Sequence, residues 1–210
     1  MMPGKRQYAG DVTAKAISVI FHPLLMPLYG LLIIISAPTL IGYLPFGVKK
    51  TLLIITVINN VFLPFSFIPY FKIRNLISTW TIDNRRERII PLITTSFFYS
   101  VTVFVTFRYH IPAFIKSFIL AVALLAIAVT IINFWWKISI HAVGSGVVVA
   151  LVTVLSINMD APLPWLLITA ILSSGLVLTS RLWLNSHNPR EVWSGFLLGF
   201  LCSGLFLLLY

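Results

Sequence analysis

Acidic side chains are scarce in this chain. Its 210 residues include only 5 Asp and Glu, and charged residues of either sign make up 10%, whereas ordinary soluble domains carry about 25%. Apolar residues make up 59%, and the mean hydropathy is +1.01. A soluble core of this length cannot bury so many apolar side chains, so the composition excludes a soluble globular domain and favours a membrane protein.

Cysteine is almost absent, since Cys202 in the last apolar run is the only one. A single thiol excludes an intramolecular disulfide and a metal site built from several cysteines. The apolar run that follows the N-terminal basic residues continues to about Tyr43 and also lacks a small-residue cleavage site. We therefore expect a retained first span and not a cleaved signal peptide.

Apolar runs of about 20 residues, the length that crosses a bilayer, recur along the chain. We predict an all-α membrane protein, a polytopic bundle of six or seven transmembrane helices forming one integral membrane domain over residues 1–210. Pro23 and Pro27 should bend the first span, after a lead-in at 11–21 that lies on the membrane surface. The predicted spans are 20–43, 50–70, 89–107, 116–136, 138–157, 165–180 and 191–210.

Basic residues give the chain a net charge of +10 and are concentrated on one membrane face. In a seven-span topology this face carries 11 Lys and Arg and the other face 4, so the positive-inside rule places the crowded face in the cytoplasm. If the five basic residues that also belong to candidate motifs are left out, the ratio is 6 to 4, which does not orient the protein. The links form no long basic face, so we expect anionic lipids as partners and not nucleic acid. The crowded face carries Lys5, Arg6, Lys15, Lys72, Arg74, Arg85, Arg86, Arg88, Lys137, Arg181 and Arg190.

The segment from Ser180 to Glu191 holds the most informative pattern. His187 and Glu191 are four residues apart at the start of the last span, so both project from one helix face and the carboxylate can accept the Nδ1 proton of the imidazole. Nε2 is then free to act as a nucleophile or base. The alternative is a plain helix start, with Asn188 as the N-cap and Pro189 at the first helical position.

Two other basic segments fall on the same membrane face. Lys137, Ser139 and His141 precede the small residues Gly144-Ser145-Gly146. On its own, this segment indicates an interfacial lysine followed by a close helix-packing seam of small residues. The segment at 83–91 contains three arginines, which on their own indicate a cytoplasmic anchor. Together, however, the segments supply two histidines, a carboxylate and several guanidinium groups, the set that a two-step phosphoryl transfer requires.

The spacing Ser180-Arg181, five residues, His187, three residues, Glu191 resembles the signature of the type-2 phosphatidic acid phosphatase family, which ends in Asp. Ser139 and His141 resemble the family's Pro-Ser-Gly-His element, with isoleucine in place of Pro and Gly. The family's first motif, Lys, six residues, Arg-Pro, is matched least, because Ile89-Ile90-Pro91 follows Arg88. The resemblance covers residues 80–200. The start at 22–27 and the Arg-Arg-Glu-Arg-Ile element at 85–89 are similar to the short all-membrane branch found in Bacteroidetes-type bacteria.

The resemblance implies a metal-independent lipid phosphatase of the bacterial inner membrane that needs no cofactor. His187 would attack phosphorus, Glu191 would orient it, and His141 would act as acid and base. The phosphate-binding residues would be Arg181, Arg88, Arg85, Ser139, Lys137 and Ser180, and the substrate would be a lipid phosphate or diphosphate. Two alternatives are a non-catalytic protein that binds or translocates lipid phosphates, and a phosphotransferase that uses the same histidine. The head group, the membrane face of the site and the oligomeric state are left open by the sequence.

Overall fold

The computed structural model describes residues 5–80, 82 and 84–209. The chain is 80% helical, and the described residues contain no strand. Seven helical segments within the described ranges are long and apolar enough to cross a membrane, which confirms the all-α polytopic bundle. The α-helices are α1 (Lys5–Ile20), α2 (Met26–Ser36), α3 (Phe46–Thr56), α4 (Leu63–Ile73), α5 (Ile89–Phe107), α6 (Ala113–Asn133), α7 (Ile140–Asn158), α8 (Pro164–Trp183) and α9 (Pro189–Leu209).

The first span differs most from its predicted limits of 20–43. Its helical segment is Gln7–Ser36, interrupted at Pro23 by the predicted bend. The helix ends at Ser36 because Pro38 disfavours helical geometry at the residue before it, and Leu40–Tyr43 forms a separate 3₁₀ turn. The span starts earlier than predicted because α8 provides hydrogen-bond partners for polar side chains of α1. The Trp183 indole N–H, for example, donates to Asp11 at 3.0 Å.

The second span, made of α3 and α4, is continuous but irregular. A π-helical turn, Val57–Phe62, joins the two helices, and Pro64 and Pro69 follow in α4. Proline lacks the amide donor of a regular helix, and π-helical turns often occur at functional sites. The turn places the Asn60 amide against α5, where its Oδ1 accepts from Thr102 at 2.6 Å.

Helix α7 forms the centre of the bundle. It packs against α2, α8 and α9, while α5 packs on α6. Its residues Leu151, Val152 and Leu155 are fully buried, whereas leucines and phenylalanines on the outer faces of α5, α8 and α9 are exposed. That distribution is the one expected when lipid surrounds the bundle.

Small residues allow α7 and α9 to approach each other closely, and Gly146 is the member of the predicted Gly144-Ser145-Gly146 seam that lies at this contact. A Cβ on Gly199 would collide with the Val143 carbonyl, and a Cβ on Gly146 with the Phe196 carbonyl. A Cβ on Gly195 would lie 2.7 Å from the Ser139 carbonyl oxygen. In each case the obstacle is backbone, so a larger residue forces the two helices apart.

We predict that Gly199→Ala destabilises the protein by about 1 to 3 kcal/mol, the usual cost of overpacking a filled interface. Gly175→Ala is the matched control, because in the described part of the chain no atom beyond its chain neighbours and the adjacent backbone of its own helix lies within 4 Å of the position that its Cβ would take. Thermal unfolding of the detergent-solubilised protein measures both. Equal unfolding midpoints for the two variants would contradict the close packing of α7 on α9.

Candidate active site

The start of α9 combines a helix cap with a pair formed by Glu191 of the first turn and His187, which lies just before the helix. The Glu191 N–H donates to Asn188 Oδ1 at 2.9 Å, and Asn188 Nδ2 donates to Glu191 Oε1 at 3.0 Å. The other carboxylate oxygen, Oε2, lies 2.7 Å from His187 Nδ1. The cap and the predicted contact are therefore compatible, since one carboxylate oxygen serves the cap and the other the imidazole, but the predicted shared helix face is wrong because His187 lies before α9.

Burial and nearby cations favour the neutral form of His187, and its contact with Glu191 favours the tautomer with the proton on Nδ1. The residue is 7% exposed. Burial and the positive charges of Arg88, Arg181 and Lys137 lower its pKa, while a hydrogen bond with the Lys137 backbone opposes them. Because Nδ1 donates to Glu191, Nε2 carries the lone pair. Arg88 Nη1 lies 3.5 Å from this Nε2, so a guanidinium group is next to the potential nucleophile.

Arg88 is held from the loop that precedes α5. It is 7% exposed, and its Nε donates to the Ile82 carbonyl oxygen at 2.8 Å. Ile82 has a φ of 47°, a conformation that costs a β-branched residue energy and is found mainly where surrounding structure enforces it. The strained residue thus provides the acceptor that fixes Arg88. Asp83, which belongs to the same predicted segment, lies outside the described residues.

A group of hydrogen bonds among Lys72, Ser78 and Glu87, called the clasp below, organises the same loop. The Ser78 N–H donates to Glu87 Oε2 at 2.6 Å, and the Ser78 hydroxyl also bonds to this carboxylate. Lys72 Nζ donates to the Ser78 carbonyl oxygen. Hydrogen bonds from the Ser78 backbone and hydroxyl lower the pKa of Glu87. The clasp ties the chain on both sides of Ile82 and so supports the position of Arg88.

His141 and Arg181 meet at Ser18 of α1, a residue that belongs to none of the predicted motifs. His141 Nε2 lies 3.2 Å from the Ser18 carbonyl oxygen, and Arg181 Nη1 donates to the Ser18 hydroxyl at 3.3 Å. That hydroxyl in turn donates to the Ala14 carbonyl oxygen at 2.9 Å. Helix α1 therefore orients two of the predicted site residues, and no local sequence signal indicates this contact.

A cavity of about 230 Å³ joins these side chains. Four predicted site residues line its polar part, together with His22, which sequence reasoning missed. The rest of the wall is largely apolar, and no carboxylate lines it within the described ranges. A polar end with several cationic groups and an apolar remainder fits an anionic amphiphile. The predicted residues on the wall are Arg88, His141, Arg181 and His187, and the apolar wall includes Leu92, Val122, Leu125 and Val129.

Two predicted phosphate-binding residues lie outside the cavity wall. Arg85 Nη1 donates to the Phe134 carbonyl oxygen at 2.7 Å, which ties the loop before α5 to the end of α6. Lys137 Nζ donates to the Ser186 carbonyl oxygen at 3.0 Å, next to His187. These contacts give both side chains a positioning role. Their predicted contact with phosphate stays a prediction.

The two serines of the motifs are buried and also lie off the cavity wall. Ser180 is 3% exposed and donates its hydroxyl to the Leu176 carbonyl oxygen of its own helix at 2.7 Å. Ser139 is fully buried, and its hydroxyl has no hydrogen-bond partner among the described residues. Its backbone N–H donates to the Glu191 carbonyl oxygen at 3.1 Å. Ser139 thereby joins the start of α7 to the start of α9.

No protein-family model, curated protein or solved structure matches this chain. The resemblance to type-2 phosphatidic acid phosphatases rests on the spacing of the motifs and stays a prediction.

The lowered pKa of His187 predicts how stability depends on pH. The unfolded ring takes up a proton near pH 6.5 and the folded ring only at lower pH, so this contribution is present above pH 6.5 and is lost as the pH falls. Between pH 7 and pH 5.5 the wild type should lose roughly 1 kcal/mol more than His187→Asn, whose amide nitrogen can still donate to Glu191. Thermal unfolding at both pH values measures the difference. Equal losses in the two proteins would refute a depressed pKa.

Proposed function

We propose that this protein is a metal-independent lipid phosphatase of the bacterial inner membrane, similar to type-2 phosphatidic acid phosphatases. It removes phosphate from a phosphomonoester or diphosphate of a lipid through a phosphohistidine. One observation carries the proposal: His187, hydrogen-bonded to Glu191, shares a cavity with Arg88, Arg181 and His141. A protein that only binds lipid phosphates needs the cations but has no use for an imidazole oriented by a carboxylate.

In the first step, the Nε2 lone pair of His187 attacks phosphorus and the bond from phosphorus to the lipid oxygen breaks. Glu191 stabilises the positive charge that develops on the ring, as a carboxylate does for a histidine in acyl transfer. Protonated His141 gives its proton to the leaving lipid oxygen. Arg88 and Arg181 stabilise the charge on the remaining phosphoryl oxygens.

In the second step, His141 is neutral and can act as a base. It removes a proton from water, whose oxygen attacks phosphorus and breaks the bond to His187 Nε2. The products are inorganic phosphate and the resting enzyme, with His141 protonated again. Because His141 Nε2 contacts the Ser18 carbonyl oxygen, Nδ1 is the nitrogen that exchanges the proton with the lipid oxygen and with water.

The cavity favours a substrate whose charged group continues directly into hydrocarbon. Its apolar wall comes from α2, α4, α5, α6 and α7, so the chain next to the phosphate lies inside the bundle and the remainder extends into the bilayer. Polyprenyl diphosphate has this form, whereas glycerol separates the phosphate from the acyl chains in phosphatidic acid and phosphatidylglycerol phosphate. Entry from the bilayer, between helices, avoids moving the lipid tail through water.

The decisive experiment measures phosphate release from detergent-solubilised lipid phosphates and diphosphates, with and without EDTA. We expect EDTA-resistant release by the wild type and a loss of at least about a thousandfold in His187→Ala, because the nucleophile is gone. Matched unfolding curves serve as the control for folding. Normal release by the variant would refute the proposal. Binding without release would favour the binding or translocating protein, or a phosphotransferase that lacks its acceptor.

A second experiment tests the guanidinium group beside the nucleophile. Arg88→Lys keeps the charge but loses the planar pair of donors and the Nε–H that bonds to Ile82, so kcat/KM should fall about 10- to 100-fold. Arg86→Lys is the matched control, because Arg86 is exposed and lies off the cavity wall. A similar loss in both variants would mean that the loop depends on arginine side chains in general and that Arg88 has no specific role.

A further inference from the structure

His22 lines the same cavity as the predicted catalytic residues, although no motif includes it. It lies at the break between α1 and the 3₁₀ turn Pro23–Leu25. Its ring centroid is 5.9 Å from that of His141, at an interplanar angle of 77°. Phe65 of α4 contacts it at 5.8 Å between centroids. The ring is therefore fixed between the N-terminal segment, α4 and α7.

A backbone hydrogen bond defines the tautomer of His22. The Leu24 N–H donates to His22 Nδ1 at 3.3 Å. Pro23 has no N–H, so the Leu24 amide is the first donor that the turn offers to a capping side chain. A doubly protonated imidazole has no lone pair on Nδ1 and cannot accept this bond. The bond therefore specifies a neutral ring with its proton on Nε2.

The three histidines of the cavity consequently present different groups to a ligand. His187 donates Nδ1–H to Glu191 and offers the lone pair of Nε2. The His141 Nε2 is next to the Ser18 carbonyl oxygen, so Nδ1 is the nitrogen left for a ligand, with a lone pair in the neutral ring and an N–H in the protonated ring of the proposed first step. Only His22 combines an occupied Nδ1 with an Nε2–H that has no hydrogen-bond partner within the described part of the chain.

We propose that His22 is a substrate-binding residue whose neutral Nε2–H donates a hydrogen bond to a non-bridging phosphoryl oxygen. The assignment rests on the proposed function for the identity of the substrate, but its ligand is a phosphate group in either case. Arg88 and Arg181 line the same polar part of the cavity, so His22 adds a neutral donor to two cationic ones. A neutral donor contributes direction without adding to the repulsion among the positive charges.

Two amide substitutions distinguish this role from a structural one. In His22→Gln the amide nitrogen replaces Nε2–H, whereas in His22→Asn the amide oxygen replaces Nδ1 and still caps Leu24. The full-length detergent-solubilised protein is titrated with inorganic phosphate by calorimetry, for the wild type and for His22→Ala, His22→Gln and His22→Asn. Thermal unfolding of each variant shows whether it is folded.

We expect the dissociation constant for phosphate to rise about tenfold in His22→Ala and His22→Asn, and to stay within about threefold of wild type in His22→Gln. An unchanged constant in His22→Ala would overturn the proposal. Restoration by Asn and not by Gln would also overturn it, because the cap alone would then explain His22. A wild type that binds no phosphate overturns it as well.

Phosphate release, measured in parallel, separates this proposal from the proposed function. If release is absent or independent of His187 while phosphate affinity follows the expected order of variants, the phosphatase is refuted and the role of His22 stands. If release requires His187 but phosphate affinity is indifferent to His22, the phosphatase stands and the role of His22 is refuted.

Discussion

The backbone contact between the starts of α7 and α9 is the constraint on which the site depends. The Ser139 N–H donates to the Glu191 carbonyl oxygen at 3.1 Å, and the absence of a side chain at Gly195 gives the Ser139 carbonyl the room it needs. This contact fixes the first turn of α9 relative to α7. The side chain of Glu191 then faces His187. His141, two residues after Ser139, lines the same cavity as His187.

Backbone carbonyl groups hold several of the cationic side chains around this contact. The Ile82 oxygen accepts from Arg88, the Phe134 oxygen from Arg85 and the Ser186 oxygen from Lys137. A neutral acceptor satisfies an N–H group without cancelling the positive charge. Such contacts therefore orient the side chains and preserve the electrostatic attraction for an anion. Placing so many cations at helix ends is costly near a bilayer, and an anionic ligand such as the proposed lipid phosphate would offset that cost.

The sequence predicts the parts of this protein that depend on local spacing. Apolar runs identified the spans, and the interval of four residues identified the contact between His187 and Glu191, although His187 lies before α9 and reaches Glu191 across the Asn188 cap. The limits of the first span were wrong because Pro38 ends the helix within an apolar run and α8 satisfies polar residues of α1. A hydropathy profile shows neither the helix end before Pro38 nor the contacts between α1 and α8.

Contacts between distant segments could not be predicted in the same way. Ser18 is 123 residues from His141 and 163 from Arg181, and only tertiary packing brings them together. The arginines before α5 show the same limit: Arg88 turns to the Ile82 carbonyl and the cavity, whereas Arg85 turns to the end of α6. Charge and sequence position are nearly the same for both, so the loop conformation makes the distinction.

The N-terminal helix therefore has a chemical consequence for the proposed reaction. A histidine that first gives up and then regains a proton must keep one orientation while its charge changes. The Ser18 carbonyl oxygen can accept from His141 Nε2–H in both states, and its partial negative charge stabilises the imidazolium more than the neutral ring. The Ser18 hydroxyl fixes Arg181 from the same residue. Movement of α1 would displace the proposed proton donor and a proposed phosphate-binding guanidinium together, so α1 belongs to the candidate site as much as α9 does.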